Sequence, residues 1–315
     1  MSSRNDRTIA EFHAAEQLEE AAASLGWSIA YRQLRRGRFS ARLEIVGSGS
    51  TAIALERFRG NLHVGCTPPP GYFGVFLLGL GQGRVTVDGR EVGDDELVTL
   101  PEGSHMDFVT CGVVRDEVLF LPQEEFRARA ARLLGQDVAF AAGLGELRRG
   151  DAAGLQRLRR SIRRSVLGGS FDAEAESQLL AQLVLWLDAS EPSESSERSA
   201  RAAAATAARV YIEERFRGPV QLDDLCAHVG VSLRTLQRSF AESFQVRPTE
   251  YLRVRRLNEA RRLLLAADPG ADRVTGIALG VGFTHLGRFS REYRGLFGES
   301  PSRTLASREA DPSAF

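Results

Sequence analysis

The stretch Gln221–Phe240, QLDDLCAHVGVSLRTLQRSF, reads as two short helices around a sharp turn, and it recurs as Arg273–Tyr293, RVTGIALGVGFTHLGRFSREY. Leu222, Leu225, Cys226 and Gly230 align with Val274, Ile277, Ala278 and Gly282. The second copy then gains one residue in its turn. After that, Leu236, Arg238, Phe240, Phe244 and Pro248 align with Phe289, Arg291, Tyr293, Phe297 and Pro301. Agreement over two separate blocks marks a repeated supersecondary unit.

The spacing has a physical cause. Leu222, Leu225 and Val229 share one face of a short helix, while Leu236, Phe240 and Phe244 recur every four residues on the next, so each pair of helices can bury a small common core. Cys226 and Ala278 are small where two helices cross closely. Gly230 and Gly282 follow the first helices, where a left-handed C-cap favours a residue without Cβ. Ser232 and Thr284 stand as N-caps of the second helices. These features specify two helix-turn-helix units, at 221–240 and 273–293.

The second helix of each unit carries the candidate readers on its polar side: Arg234, Gln237 and Arg238 in the first copy, Arg288 and Arg291 in the second, with His285 near the helix start. Arg pairs bidentately with guanine and Gln with adenine in the major groove. The plainer reading is a solvated Arg face. Recurrence of Arg at the Arg238/Arg291 position favours DNA contact over that reading.

Residues 205–305 resemble the DNA-binding domain of the AraC/XylS family of bacterial transcription regulators. The resemblance rests on L-Q-R-S-F (Leu236–Phe240), the joining stretch R-L-x-x-A (Arg256, Leu257, Ala260), V-G-F (Val281–Phe283) and F-G-E-S-P-S (Phe297–Ser302). It implies base-facing roles for Arg234, Gln237, Arg238, Gly287, Arg288 and Arg291, and RNA polymerase as a partner. It also implies an N-terminal effector-sensing domain. The sequence departs from the family pattern in two places: Gly287 offers no side chain, and Arg303 and Thr304 stand where an aromatic residue and an Arg are usual.

Charge is distributed accordingly. The chain is formally neutral, with 41 basic and 41 acidic residues. Residues 201–305 nevertheless hold 17 Arg against 11 acids, and residues 1–200 hold 23 Arg against 28 acids. The positive field is concentrated where the reading helices lie.

The 315 residues, 43% hydrophobic, suffice for two cores. No apolar run is long enough to span a bilayer, and the segment MSSRNDRTIAEFHAAEQ lacks an apolar signal core, so a cytoplasmic, membrane-independent protein is expected. Cys66, Cys111 and Cys226 are scattered without a C-x-x-C pair and are expected as reduced thiols, with neither disulfide nor zinc site.

Residues 190–200, beginning SEPSESSERS, have linker composition. They separate an expected sensing domain, 1–189, from the DNA-binding domain, 201–305, which is followed by a tail at 306–315. Within the first domain the alternating segments Phe39–Val46, Thr51–Phe58, Tyr72–Leu80, Arg84–Val87, Glu96–Leu100 and Val113–Leu121 predict short strands, and Asp88-Gly89 predicts a tight hairpin. Gly-rich turns favour a small cupin-like β-barrel. Tyr72, Phe73, Phe76 and Phe108 are candidate effector-binding wall residues, with ordinary core packing as the alternative.

Residues 123–189 return to helical period. Leu155, Leu158, Ile162 and Val166 form one stripe, and Leu179, Leu180, Leu183, Val184, Trp186 and Leu187 a wider one. Arg157, Arg159, Arg160, Arg163 and Arg164 are expected on an exposed helix face, with contact to nucleic acid or membrane as the alternative. Tyr31–Leu43 and Leu100–Phe108 are similar to ethanolamine-utilisation operon regulators, which implies ethanolamine, with or without a cobalamin, as effector.

A metal-dependent cupin needs converging His and carboxylate ligands. This half has only His13, His63 and His105, with no H-x-H pair, and no phosphate loop or nucleophile elbow occurs. No catalytic or metal-binding residue is therefore predicted. The expected architecture is two-domain α+β: a cupin-like barrel with a helical extension, then an all-α domain with two helix-turn-helix units. The expected function is an effector-controlled, sequence-specific transcription regulator, an activator, acting on double-stranded DNA and forming a homodimer. The alternative is a cupin-fold enzyme or small-molecule binder with a vestigial DNA-binding domain.

Overall fold

A computed structural model describes residues 7–87, 89–135, 146–193, 196–269 and 273–306. The first part of the chain runs β1 (Thr8–Phe12), α1 (Ala15–Ser24), β2 (Ser28–Gln33), β3 (Ser40–Ser48), β4 (Thr51–Arg59), β5 (Leu62–Thr67), β6 (Tyr72–Gly81), β7 (Arg84–Val87), β8 (Arg90–Glu91), β9 (Glu96–Leu100), β10 (Met106–Cys111) and β11 (Val113–Pro122). The alternating segments are thus β3, β4, β6, β7, β9 and β11. The register Val87↔Arg90 leaves a two-residue turn with Gly89 at φ 74°; its partner Asp88 lies outside the described residues.

Next come α2 (Gln123–Leu134), β12 (Glu146–Arg149), α3 (Ala152–Gly168), α4 (Ala173–Asp188) and β13 (Glu191–Pro192). All strand pairs are antiparallel, in two sheets ordered β1-β3-β4-β11-β6-β9-β12-β13 and β2-β5-β10-β7-β8. Among the described residues the sheets do not join, so the closed cupin-like barrel expected from the turns is replaced by two stacked sheets. The free edge of β2 is engaged by helices instead. Tyr31 N–H donates to Glu19 of α1, and Gln33 donates its N–H to the side chain of Asn258 and accepts from it at its C=O. An edge strand satisfied this way is not available to close a barrel.

Period-two alternation divides β4 and β11 between two cores. Ile53, Leu119 and Leu121 pack under α2–α4, whereas Ala54, Phe58, Val114 and Val118 point between the sheets toward Tyr31, Val64, Cys66 and Phe108. Asp151 and Asp172 cap α3 and α4 by accepting from Ala153 and Gly154, and from Ala175.

The Arg cluster of α3 is not one exposed face. Arg159 is buried, donating to the carbonyls of Leu77 and Leu78 and to Glu117, while Arg163 also pairs with Glu117. The cause is an extra residue in β6 opposite Asp116, where Gly79 takes φ 90° and interrupts the ladder. That irregularity leaves carbonyls for a cation from the covering helix. Arg157, Arg160 and Arg164 remain exposed.

Of segment 190–200, Glu191 and Pro192 pair with β12, residues 194 and 195 lie outside the described residues, and α5 (Ser196–Arg215) follows. The remainder is helical: α6 (Leu222–Val229), α7 (Leu233–Phe244), α8 (Pro248–Ala266), α9 (Val274–Gly280), α10 (Leu286–Phe297) and α11 (Pro301–Ala306). From residue 307 the tail lies outside the described residues. No described helix is long and apolar enough to cross a membrane.

Candidate nucleic-acid interface

In the first unit Leu225, Leu236, Phe240 and Phe244 are buried, closing α6 and α7 over α5 and α8. Gly230 ends α6 at φ 68°, and the Ser232 hydroxyl caps α7 by accepting from Thr235 N–H at 3.2 Å. The second unit repeats this with Ala278, Phe289 and Tyr293. There Gly282 has φ 92°, and a Cβ on it would stand 2.7 Å from the Arg217 carbonyl oxygen, so only glycine fits. The expected N-cap Thr284 gives way to His285, which occupies the cap position without a side-chain capping bond. The residue gained in the second turn shifts the start of α10 by one.

α8 joins the units. Pro248 opens it, where the missing N–H costs nothing. Tyr251, Val254, Leu257, Ala260 and Leu264 are buried along it. Glu259 is buried too and is held by Arg217, Arg255 and Arg262. Burial alone would raise its carboxyl, but hydrogen bonds and charge from Arg262, Arg255 and Arg217 outweigh it and bring it down to about 2.

Every sequence-predicted reader is solvent-exposed: Arg234, Gln237 and Arg238 on α7, then His285, Gly287, Arg288 and Arg291 at and along α10. Arg238 and Arg288 bond Glu242 and Glu292 one turn on, both at 2.8 Å. Such exposed i,i+4 pairs are weak and screened by solvent, so these guanidiniums can exchange partners readily.

The four candidate effector residues do not share a wall. Phe73 packs toward the helices, stacked on Phe126 at 5.3 Å, whereas Phe76 and Phe108 lie between the sheets and Tyr72 is half-buried at the start of β6. Period-two alternation sends Phe73 and Phe76 to opposite faces. Cys66, Cys111 and Cys226 are unpaired, and no metal-ligand cluster occurs among the described residues.

A polar network that sequence reasoning missed joins the two halves of the chain. His63 of β5 bonds Asp107 of β10 at 2.7 Å and Tyr251 of α8 at 3.1 Å. Arg209 of α5 meets Asp107 at 2.9 Å, and Arg32 of β2 meets Glu213 of α5 at 3.2 Å. Burial works against the charged form of Asp107, yet bonds from His105 and His63 and the charge of Arg209 hold it far below the usual carboxylate range. Nothing in the local sequence around His63 announces a partner 188 positions away.

A helix-turn-helix family model matches residues 225–307. A probable thc operon regulatory protein from Rhodococcus erythropolis is 42% identical over 95 residues, 30% of this chain and 29% of that protein. The XylDLEGF operon transcriptional activator of Pseudomonas putida is 38% identical over 95 residues, covering 30% of each. A crystal structure of a probable AraC family transcriptional regulator from Rhodopseudomonas palustris is 36% identical, covering 33% of this chain and 96% of that one, with a TM-score of 0.31. The match thus spans under a third of the length of these two curated relatives and is confined to the helices built above. On it, residues 225–307 are a helix-turn-helix domain of the AraC/XylS family.

Proposed function

We propose that this protein is a sequence-specific DNA-binding transcription regulator. Residues 201–305 act as the DNA-binding module, and the sheet and helix layers of 1–189 sense a small-molecule effector. The observation that carries the reading is the doubled reading helix: Arg238 and Arg291 occupy the same station, exposed on α7 and α10, while the opposite stations Leu236, Phe240, Phe289 and Tyr293 are buried. A fold needs the buried positions; it does not need the repeated Arg. The excess of Arg over acids in this segment favours the phosphate backbone. Double-stranded promoter DNA is the partner, with RNA polymerase and a second copy of the chain as further partners, and activation as the expected sign.

The test is binding by the full chain and by residues 201–305 to a random duplex pool across a salt series. Log affinity should fall linearly with log salt, with a slope of about −0.9 per phosphate neutralised, and selection should recover a preferred site. Binding with no sequence preference, or none at low salt, would refute the proposal. Ethanolamine, with and without a cobalamin, is the first effector to try, read as a thermal shift of the full chain.

A further inference from the structure

In the register that superposes the reading helices, residues 233–248 and 286–301 carry the same amino acid at four places: Leu233/Leu286, Arg238/Arg291, Phe244/Phe297 and Pro248/Pro301. Three have evident causes. Phe244 and Phe297 pack on the helical core, Pro248 and Pro301 open α8 and α11 and are buried, and the Arg pair comprises candidate readers. The leucines have no such cause. Leu233 is 41% exposed and Leu286 38% exposed, and neither belongs to the helical core or its packed fringe.

A single exposed leucine on a protein surface is ordinary. The same exposed leucine as first residue of both reading helices is a second shared surface feature beside the Arg pair. It also sits at the end of the helix that matters. In helix-turn-helix docking the N-terminal residues of the second helix meet the base edges. The one apolar group displayed in the major groove is the C5-methyl of thymine, and an apolar side chain meets it best.

Resting on the DNA-binding reading above, we propose that Leu233 and Leu286 each pack on a thymine methyl group. They specify thymine at one position per reading helix, next to the bases met by the Arg side chains. Neither leucine supports the fold, so both can be changed without disturbing the core.

The experiment uses the full chain and the duplex it selects from a random pool. Each thymine of that duplex is replaced in turn by deoxyuracil, which removes only the methyl group. The wild-type chain should lose about fourfold in affinity at one thymine facing each reading helix, the value of one buried methyl-sized group. Leu233→Ala should bind thymine and uracil equally at the first position and keep the penalty at the second; Leu286→Ala should do the reverse. Leu233→Met, still apolar, should retain discrimination. A selected site at which no thymine-to-uracil change weakens the wild type, or at which the penalty persists in both alanine variants, overturns the inference and leaves the DNA reading standing. A pool that yields no preferred site overturns the DNA reading and this inference with it.

Discussion

The phenolic oxygen of Tyr251 lies 3.1 Å from Nδ1 of His63, a hydrogen bond between the helix joining the two reading units and the inner strand of the smaller sheet. Both side chains are almost wholly buried. The same phenol reaches Glu213 at 2.9 Å, and Glu213 in turn holds Arg32 and Arg255. The helix-turn-helix domain is therefore seated on the sheets through paired polar groups as well as through apolar contact by Leu34 and Val109.

Tyr251→Phe keeps the ring but removes the phenol, leaving His63 Nδ1 without its partner. An orphaned buried polar atom costs about 1–3 kcal/mol. Urea unfolding of the full chain should show that loss, and residues 190–200 should become easier to cleave. Unchanged stability and cleavage would mean the two halves are held by other contacts.

Arg238→Ala or Arg291→Ala should each weaken binding to the selected site by about 1–3 kcal/mol and relax preference for the base it meets. Leu236→Ala should instead lower the melting temperature, because Leu236 is buried and a core leucine truncation costs about 2–5 kcal/mol. Loss spread equally over all sequences in both Arg variants would assign these side chains to phosphate.

Stability contributed by three raised carboxyls should fall as pH climbs from the ordinary carboxylate range to about 8. Glu56 and Asp116 sit opposite one another on β4 and β11. Burial, with the charge of Asp116 opposing, raises Glu56 to about 8; burial, with Glu117 adding repulsion, raises Asp116 to about 7. Burial likewise lifts Glu19 to about 7. A carboxyl raised in the folded state contributes its full stability below its ordinary pKa and loses it progressively as pH climbs from there to the folded value. The urea midpoint should therefore drop from about pH 4 to about pH 8 and level off above that, and the drop should shrink in Glu56→Gln. A flat profile in the wild type would show that none of these three carboxyls is held protonated.

The joining helix α8 has 19 residues, about 28 Å at 1.5 Å each. That approaches the ~34 Å between successive major grooves on one face of B-DNA, so a stiff α8 would set one spacing for the two candidate reading helices. Inserting about five base pairs between the half-sites should abolish tight binding, and a full turn of about ten should not restore it. Restoration at ten would place the readers in different subunits or on a flexible joint.

The helix-turn-helix units were legible in the sequence because their determinants are local. Leu236, Phe240 and Phe244 share a face by helical spacing alone, Gly230 and Gly282 meet a left-handed backbone, and Ser232 caps the helix it precedes. The strands β3, β4, β6, β7, β9 and β11 were legible by alternation for the same reason. What tertiary structure decided is everything that depends on a distant partner. Alternation says that Phe73 and Phe76 face opposite ways but not what covers each face. The Arg stretch of α3 looks uniformly polar, yet Arg159 is drawn inside by carbonyls that a bulge in β6 leaves open. Whether strands close into a barrel depends on what meets the edge of β2, and Asn258 lies 225 positions further along the chain. His63 reads as a lone histidine until folding brings Asp107 and Tyr251 to its two ring nitrogens. Periodicity and cap chemistry act within a few residues and are written in order; pairing of buried polar groups acts across the fold and is fixed only when the layers meet.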